Sequence, residues 1–310
     1  MVQNQPGVLQ MIRAPFLSSI LSPLLAGTLL AVAVNQSFSL LGFVLVMVMG
    51  IGLHAATNVY NDIYDTLQGT DRVNVHRNQF SGGSGILIRF PELQGKMFFL
   101  ARFSLVIALL ATIGLMFVID RALWPFLWGL YLLSAFFSKY YTAAPFKLAS
   151  RGFGEVSVLF AFGPMAVLVA AVSQGVGLHP AVLVAMPITG LSTLSILLLG
   201  QLIDLPADKE TGKLGVAARA GTKATAYLFV LVQFLLISNV LVLGLGFMKS
   251  SWPVLISLVP YAAMLPSIAH LAIQYHDNED ELKKAAGKNV QLHLAFSILL
   301  TIGLGFCLLT

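Results

Sequence analysis

The chain has 310 residues, of which 57% are hydrophobic and only 10% are charged, with a formal net charge of +5. Average soluble domains carry about 25% charged residues, so this composition excludes a charge-coated globule and predicts an integral membrane protein. The basic residues lie in short segments between apolar runs, so we expect no nucleic-acid partner. The single cysteine excludes an intramolecular disulfide and a thiolate metal cluster.

Apolar runs long enough to cross a bilayer, about 20 residues each, recur along the whole chain. They predict an all-α, polytopic membrane bundle of nine transmembrane helices, formed by a single domain over residues 1–310. The predicted spans are about 14–34, 38–60, 97–119, 122–141, 152–173, 179–203, 223–246, 252–275 and 289–309.

The charges are distributed unevenly between the two sides of this predicted bundle. With the N-terminus inside, fifteen of the 18 Lys and Arg residues fall in inner segments and only Arg121 and Lys249 fall outside. The positive-inside rule therefore places the inner side in the cytoplasm. Of the 13 Asp and Glu residues, only Asp120 lies outside, which indicates a functional site on the cytoplasmic side. We expect a prokaryotic cell membrane.

An acidic patch follows the second span, in the stretch "NVYNDIYDTLQGTD". Asn58, Asp62 and Asp65 are spaced i, i+4 and i+7, so a helix would place them on one face. Asn61 neighbours Asp65 at i+4, and a glycine after the helix would allow Asp71 to fold back.

A second acidic patch follows the sixth span, in "GQLIDLPADKETGK". Gln201, Asp204 and Asp208 are spaced i, i+3 and i+7, although Pro206 interrupts the pattern. Five converging carboxylates repel one another unless a cation lies between them. Oxygen ligands without histidine or thiolate favour Mg²⁺ or Ca²⁺, and Mg²⁺ leaves positions for phosphate oxygens. The patches therefore predict a Mg²⁺-bridged diphosphate, with basic residues beside it.

A diphosphate site at a membrane surface predicts a substrate whose other half is apolar. An isoprenyl chain gains about 0.8 kcal/mol for each CH₂ that it buries in the bilayer or in the bundle. We therefore expect a prenyl diphosphate whose head binds the metal and whose chain lies among the helices, around a central cavity.

The motifs "NDIYD…GTD" and "DLPADKETGK" resemble the two aspartate-rich motifs of the UbiA superfamily of intramembrane prenyltransferases. The stretch from 140 to 168 and "SGGSG" at 81–85 are most similar to the 1,4-dihydroxy-2-naphthoate polyprenyltransferases of menaquinone synthesis. The chain departs from the family pattern at Gln201, where Asn is usual, and at Lys209, where Arg is common. Asp71 lies two positions beyond the usual last aspartate, a feature that the naphthoate branch shares.

The resemblance implies Mg²⁺-dependent transfer of a prenyl group to an aromatic acceptor, with 1,4-dihydroxy-2-naphthoate favoured. Three alternatives remain: transfer to another acceptor, a terpene cyclase of the same superfamily, and a transporter. The transporter is disfavoured because the acidic residues lie at the ends of the spans.

The expected catalytic residues are Asp62, Asp65, Asp71, Asp204 and Asp208, which also bind metal together with Asn58. The expected substrate-binding residues are Asn58, Asn61, Arg72, Arg77, Lys139, Tyr140, Tyr141, Arg151, Gln201, Lys209 and Lys213. Glu155 is either a charge at a helix N-terminus or a contact to the acceptor.

Overall fold

The computed structural model describes residues 5–74 and 83–308, and the regular structure in these ranges is entirely helical. The all-α prediction is therefore confirmed. The long helices are α1 (Ser18–Asn35), α2 (Leu40–Gln68), α3 (Gln94–Met116), α4 (Trp124–Tyr140), α5 (Gly154–Ser173), α6 (Pro180–Glu210), α7 (Thr222–Phe247), α8 (Trp252–Gln274) and α9 (Glu279–Phe306).

Eight of these helices in the described ranges are long and apolar enough to cross a membrane. The predicted span that is not among these eight is the fourth, about 122–141, which corresponds to α4, a helix of 17 residues. At 1.5 Å per residue such a helix is about 26 Å long, slightly less than the ~30 Å hydrocarbon core. The predicted count of nine spans is therefore approximate, whereas the membrane-spanning bundle is confirmed.

Both helices that carry the acidic patches continue well beyond the predicted spans. Helix α2 runs to Gln68 and α6 runs to Glu210, so the patch residues up to Asp65 and up to Asp208 lie in these two helices, whereas Asp71 lies in a separate short helix after Gly69. Pro206 lies inside α6 without ending it, which is tolerated where neighbouring groups cover the carbonyl that the proline leaves unbonded. The acidic side chains therefore belong to rigid helices, and their relative directions follow the helical repeat.

Close packing of helix backbones holds α5 and α6 together. Gly163 in α5 and Gly190 in α6 approach so closely that a Cβ on either would meet a backbone carbonyl of the other helix. Gly27 of α1 packs in the same way on the carbonyl of Val167 in α5. Small residues at such crossings are the usual means of helix association in a bilayer, where burial of apolar surface adds little.

Short helical segments connect the long helices on the side where α2 and α6 end. After α2 come Thr70–Val73 and Ile86–Arg89, and after α6 comes Val216–Ala220. A 3₁₀ turn, Leu148–Arg151, precedes α5. Residues that flank these segments contact the patch carboxylates, namely Asn74, Gly83, Ser84 and Lys213.

Candidate functional site

The two acidic patches meet around the ammonium group of Lys213. Its Nζ lies 3.4 Å from Oδ2 of Asp65 on α2 and 3.8 Å from Oδ1 of Asp208 on α6. Those two carboxylate oxygens are therefore at most 7.2 Å apart, the sum of the two distances. Asn74 Nδ2 also donates to Asp204 Oδ1 at 2.9 Å. The ends of α2 and α6 thus form one polar site.

Lys213 remains charged in this position. Burial alone would lower the pKa of its ammonium group, but the carboxylates of Asp65 and Asp208 outweigh that effect and hold the pKa above its usual value. The side chain is 22% exposed, so water reaches it only partly. The ammonium therefore offsets the negative charge that two neighbouring carboxylates would otherwise place in a half-buried site.

A cavity of about 900 Å³ begins at this polar site and extends between α1, α2, α4, α5, α6 and α9. Its polar end is lined by Asn58, Asn61, Asp65, Asp204, Asp208 and Lys213. The rest of its wall is largely apolar and includes Leu24, Met49, Leu53, Phe137, Val169 and Leu197. The cavity therefore matches a ligand with an anionic head and a long apolar chain.

Eight of the predicted site residues border this cavity: Asn58, Asn61, Asp65, Tyr141, Gln201, Asp204, Asp208 and Lys213. Seven others do not: Asp62, Asp71, Arg72, Lys139, Tyr140, Arg151 and Lys209. Arg77 lies outside the described residues.

Asp62 and Asp71 are buried behind the cavity wall, where the segment after residue 82 contacts them. The backbone N–H of Ser84 donates to Asp62 Oδ1 at 3.0 Å, and that of Gly83 donates to Asp71 Oδ1 at 3.2 Å. Thr66 Oγ1 also donates to Asp71 at 3.1 Å. In this structure both carboxylates anchor the start of the segment that leads to α3.

The basic residues predicted to bind substrate are mostly turned toward solvent. Arg72, Arg151 and Lys209 are exposed. Lys139 places its ammonium over the ring of Tyr140, 5.1 Å from the centroid, and Tyr140 packs among other aromatic rings outside the cavity. Of the predicted lysines and arginines in the described ranges, Lys213 alone borders the cavity.

Arg13 borders the cavity, although in the sequence it is only one of the fifteen basic residues of the inner segments. Its guanidinium lies 3.6 Å from Asp62 Oδ1, and its side chain is 15% exposed. The backbone at Arg13 is left-handed, with φ of 54°, which turns the chain between a short helix and α1. In the sequence, Arg13 is an isolated charge just before the first span, and this isolation is the feature that could have marked it as a candidate site residue.

The residues at the polar end suit a hard divalent cation only in combination with a ligand. The donors are carboxylate and amide oxygens, and Asp62 Oδ2 and Asp208 Oδ1 are buried without a hydrogen-bond partner. Within residues 5–74 and 83–308, however, no three His, Cys, Asp or Glu side chains form a ready-made metal site. Mg²⁺ commonly binds through one or two carboxylates plus substrate phosphates, so this donor set fits Mg²⁺ held jointly with a phosphate group.

Known proteins are similar to this chain in sequence and in fold. The 2-carboxy-1,4-naphthoquinone phytyltransferase of Synechocystis sp. is 26% identical over 300 residues, covering 95% of this chain and 92% of that protein. The apo structure of a UbiA homolog from Aeropyrum pernix K1 covers 91% of this chain and 96% of its own, with a TM-score of 0.65 at 14% identity. A UbiA homolog from Archaeoglobus fulgidus bound to DMAPP and Mg²⁺ covers 96% of this chain and 100% of its own, with a TM-score of 0.56 at 13% identity.

Residues 93–301, more than half of the chain, match the UbiA prenyltransferase family. The matched region includes the second aspartate-rich motif and confirms the resemblance to the family, and the two solved structures show that the fold is shared. This chain therefore belongs to the UbiA prenyltransferase family and is an integral membrane prenyltransferase.

Proposed function

We propose that the protein transfers the prenyl group of a prenyl diphosphate to an aromatic acceptor of the 1,4-dihydroxy-2-naphthoate type, in a Mg²⁺-dependent reaction of menaquinone synthesis. The observation that carries the proposal is the shared site of Asp65, Asp208 and Lys213 at the mouth of an apolar cavity. The charge asymmetry of the loops supports a cytoplasmic location for this site.

The cavity supports an amphiphilic substrate whose two halves bind in different ways. The diphosphate head would lie at the polar end, where Lys213 and Arg13 provide positive charge. The isoprenyl chain would lie along the apolar wall, where each buried CH₂ contributes about 0.8 kcal/mol. Lys213 can exchange its carboxylate partners for phosphate oxygens without leaving the site.

Mg²⁺ would be held by Asp65, Asp204 and Asp208, with the amide oxygens of Asn58 and Asn61 beside them. When bound, the ion neutralises charge on the diphosphate and makes it a better leaving group. The A. fulgidus homolog bound to DMAPP and Mg²⁺ supports this assignment. Asp62 could join the ligand set through Oδ2, which has no hydrogen-bond partner, whereas Asp71 would have to give up its bond from Gly83 or from Thr66.

The protein's own part in the reaction is to position, to stabilise charge and to exclude water. As the allylic C–O bond breaks, the electron pair leaves with the diphosphate, and Lys213 stabilises the growing negative charge. The rings of Phe137, Tyr141 and Phe162 border the cavity and can stabilise the allylic cation without reacting with it. An acceptor carbon then forms the new C–C bond, and the naphthoate carboxyl group is lost as CO₂.

The acceptor is supported by the Synechocystis relative, whose name gives a carboxylated naphthoquinone and a phytyl group. The test is to incubate the purified protein with Mg²⁺, prenyl diphosphates of several lengths and a panel of aromatic acids, with products read by mass spectrometry. We expect a decarboxylated prenyl-naphthalene product with 1,4-dihydroxy-2-naphthoate. Turnover of another acid alone would overturn the acceptor assignment. A hydrocarbon formed without any acceptor would indicate a terpene cyclase and overturn the transfer reaction.

A further inference from the structure

A buried carboxylate outside the cavity connects three elements beside the site. Glu155, the second residue of α5, is 7% exposed. Its Oε1 accepts hydrogen bonds from Gln201 Nε2 on α6 at 2.6 Å and from the backbone N–H of Val216 at 2.8 Å. Gln201 Oε1 in turn accepts from the backbone N–H of Ala217 at 3.4 Å. We call this set, Glu155, Gln201 and the N–H groups of Val216 and Ala217, the Glu155 clasp.

The clasp holds the end of the loop that carries Lys213. This loop leaves α6 after Glu210, and the backbone N–H of Lys213 donates to the carbonyl of Asp208 at 2.7 Å. The next N–H, of Leu214, donates to the carbonyl of Ser150 just before α5 at 3.0 Å. Val216 follows only three residues after Lys213. The hydrogen bonds of the Lys213, Leu214 and Val216 N–H groups therefore together restrict the position of the Lys213 backbone.

Glu155 itself does not border the cavity, whereas Gln201 does. Each end of the Gln201 amide makes a hydrogen bond within the clasp, so this side chain links Glu155 and the loop to the cavity wall. Burying a carboxylate in a membrane bundle costs free energy unless a cation pairs with it. Among the described residues, no salt bridge involves Glu155. Its carboxylate is instead hydrogen-bonded to the loop, through Val216, and to α6, through Gln201.

We propose that Glu155 is a positioning residue: through the clasp it fixes the loop so that the Lys213 ammonium lies between Asp65 and Asp208, where the leaving diphosphate binds. The inference rests on the proposed function and deepens it. It separates the two interpretations of Glu155 left open by the sequence, because a residue held away from the cavity does not contact the acceptor.

The first test compares Glu155→Ala with Glu155→Gln in the binding of farnesyl diphosphate with Mg²⁺, measured by calorimetry on detergent-solubilised protein. The glutamine keeps an oxygen that can accept from both Gln201 and Val216, whereas the alanine removes it. We expect the alanine variant to bind about tenfold more weakly and the glutamine variant to stay within about threefold of wild type. Equal losses in both variants would overturn the proposal, because they would mean that the negative charge itself is needed.

The second test is a double-mutant cycle with Lys213→Ala. If Glu155 acts through Lys213, then Glu155→Ala should weaken binding by less than about twofold once Lys213 is absent. Effects that multiply in the double mutant would show an independent role and overturn the proposal. If the alanine variant at position 155 does not fold, Val216→Pro removes the N–H donor and leaves Glu155 in place, at a first-turn position that accepts proline. It should show the same dependence on Lys213.

The binding readout separates failure of this inference from failure of the proposed function. Wild-type protein that binds no prenyl diphosphate would overturn the proposed function and this inference with it. Wild-type protein that binds normally, with clasp variants that bind equally well, would overturn the inference alone.

Discussion

Replacing Lys213 by Met tests whether the ammonium acts as the cation that the two acidic patches require. The variant keeps the length of the side chain and removes its charge, so Asp65 and Asp208 face each other without compensation. Their nearest oxygens are at most 7.2 Å apart, the sum of the contact distances to Lys213. With an effective dielectric constant of about 20, two unit charges at this separation repel by about 2 kcal/mol.

This repulsion should lower the thermal stability of the variant, and Mg²⁺ should restore it. At ~2–4 °C per kcal/mol, we expect the Lys213→Met variant to unfold roughly 4–8 °C below wild type without divalent cations. Millimolar Mg²⁺ should recover most of that difference, because the ion takes the place of the ammonium between the carboxylates. The assay is thermal unfolding of the detergent-solubilised protein, followed by intrinsic fluorescence with and without Mg²⁺.

The matched control is Lys223→Met, which removes an exposed lysine on the same side of the bundle. It should leave both the unfolding temperature and its response to Mg²⁺ unchanged, since surface charges contribute little. A Lys213→Met variant that is as stable as wild type, and that Mg²⁺ does not stabilise further, would refute the claim that the two carboxylates need a shared cation.

Three further predictions concern catalysis, the metal and the packing. Asp65→Asn and Asp208→Asn should each reduce turnover at least ~10²-fold at saturating Mg²⁺ in a product-formation assay, and near-normal rates would remove that residue from the machinery. EDTA should abolish turnover, and added Mg²⁺ should restore it; activity that survives thorough chelation would contradict the metal assignment. Gly190→Val should lower the unfolding temperature strongly because its side chain would meet the α5 backbone, whereas Gly246→Val, in open space on α7, should not. Equal effects of the two glycine variants would contradict the close packing of α5 and α6.

The meeting of the two acidic patches could be predicted from sequence because it follows from charge. Like charges on two distant segments at the same membrane depth require a shared counter-charge, and the structure brings Asp65 and Asp208 to Lys213. Helical spacing also predicted that the polar residues of α2 share one side of the helix. At about 100° per residue, Asn61, Asp65, Asn58 and Asp62 lie in that angular order within one sector of the helix.

Spacing alone could not show which part of that sector faces the cavity. The opposite face of α2 packs against α3 through Val59 and Ile63, which are fully buried. This packing turns Asn61, Asp65 and Asn58 toward the cavity and leaves Asp62 buried behind the cavity wall, beside Arg13. The rotation depends on contacts between helices that are distant in sequence, so the period of 3.6 residues does not determine it.

Two other features could not be predicted from the sequence for the same reason. Tyr140 and Tyr141 are neighbours in the chain and were equally good candidates, but only Tyr141 borders the cavity because successive helical residues point about 100° apart. The Glu155 clasp joins residues 46 and 61 positions apart. No local pattern in the sequence connects them.

The most direct measurement of the central claim is the position of the metal in the substrate-bound protein. Crystals grown with Mn²⁺ in place of Mg²⁺ and a non-hydrolysable prenyl diphosphate analogue would give an anomalous signal at each metal position. We predict a peak within coordinating distance of both the α2 carboxylate of Asp65 and the α6 carboxylate of Asp208, or two adjacent peaks that share the diphosphate between them. Metal bound to one helix alone, or a diphosphate bound away from both carboxylates, would contradict the account.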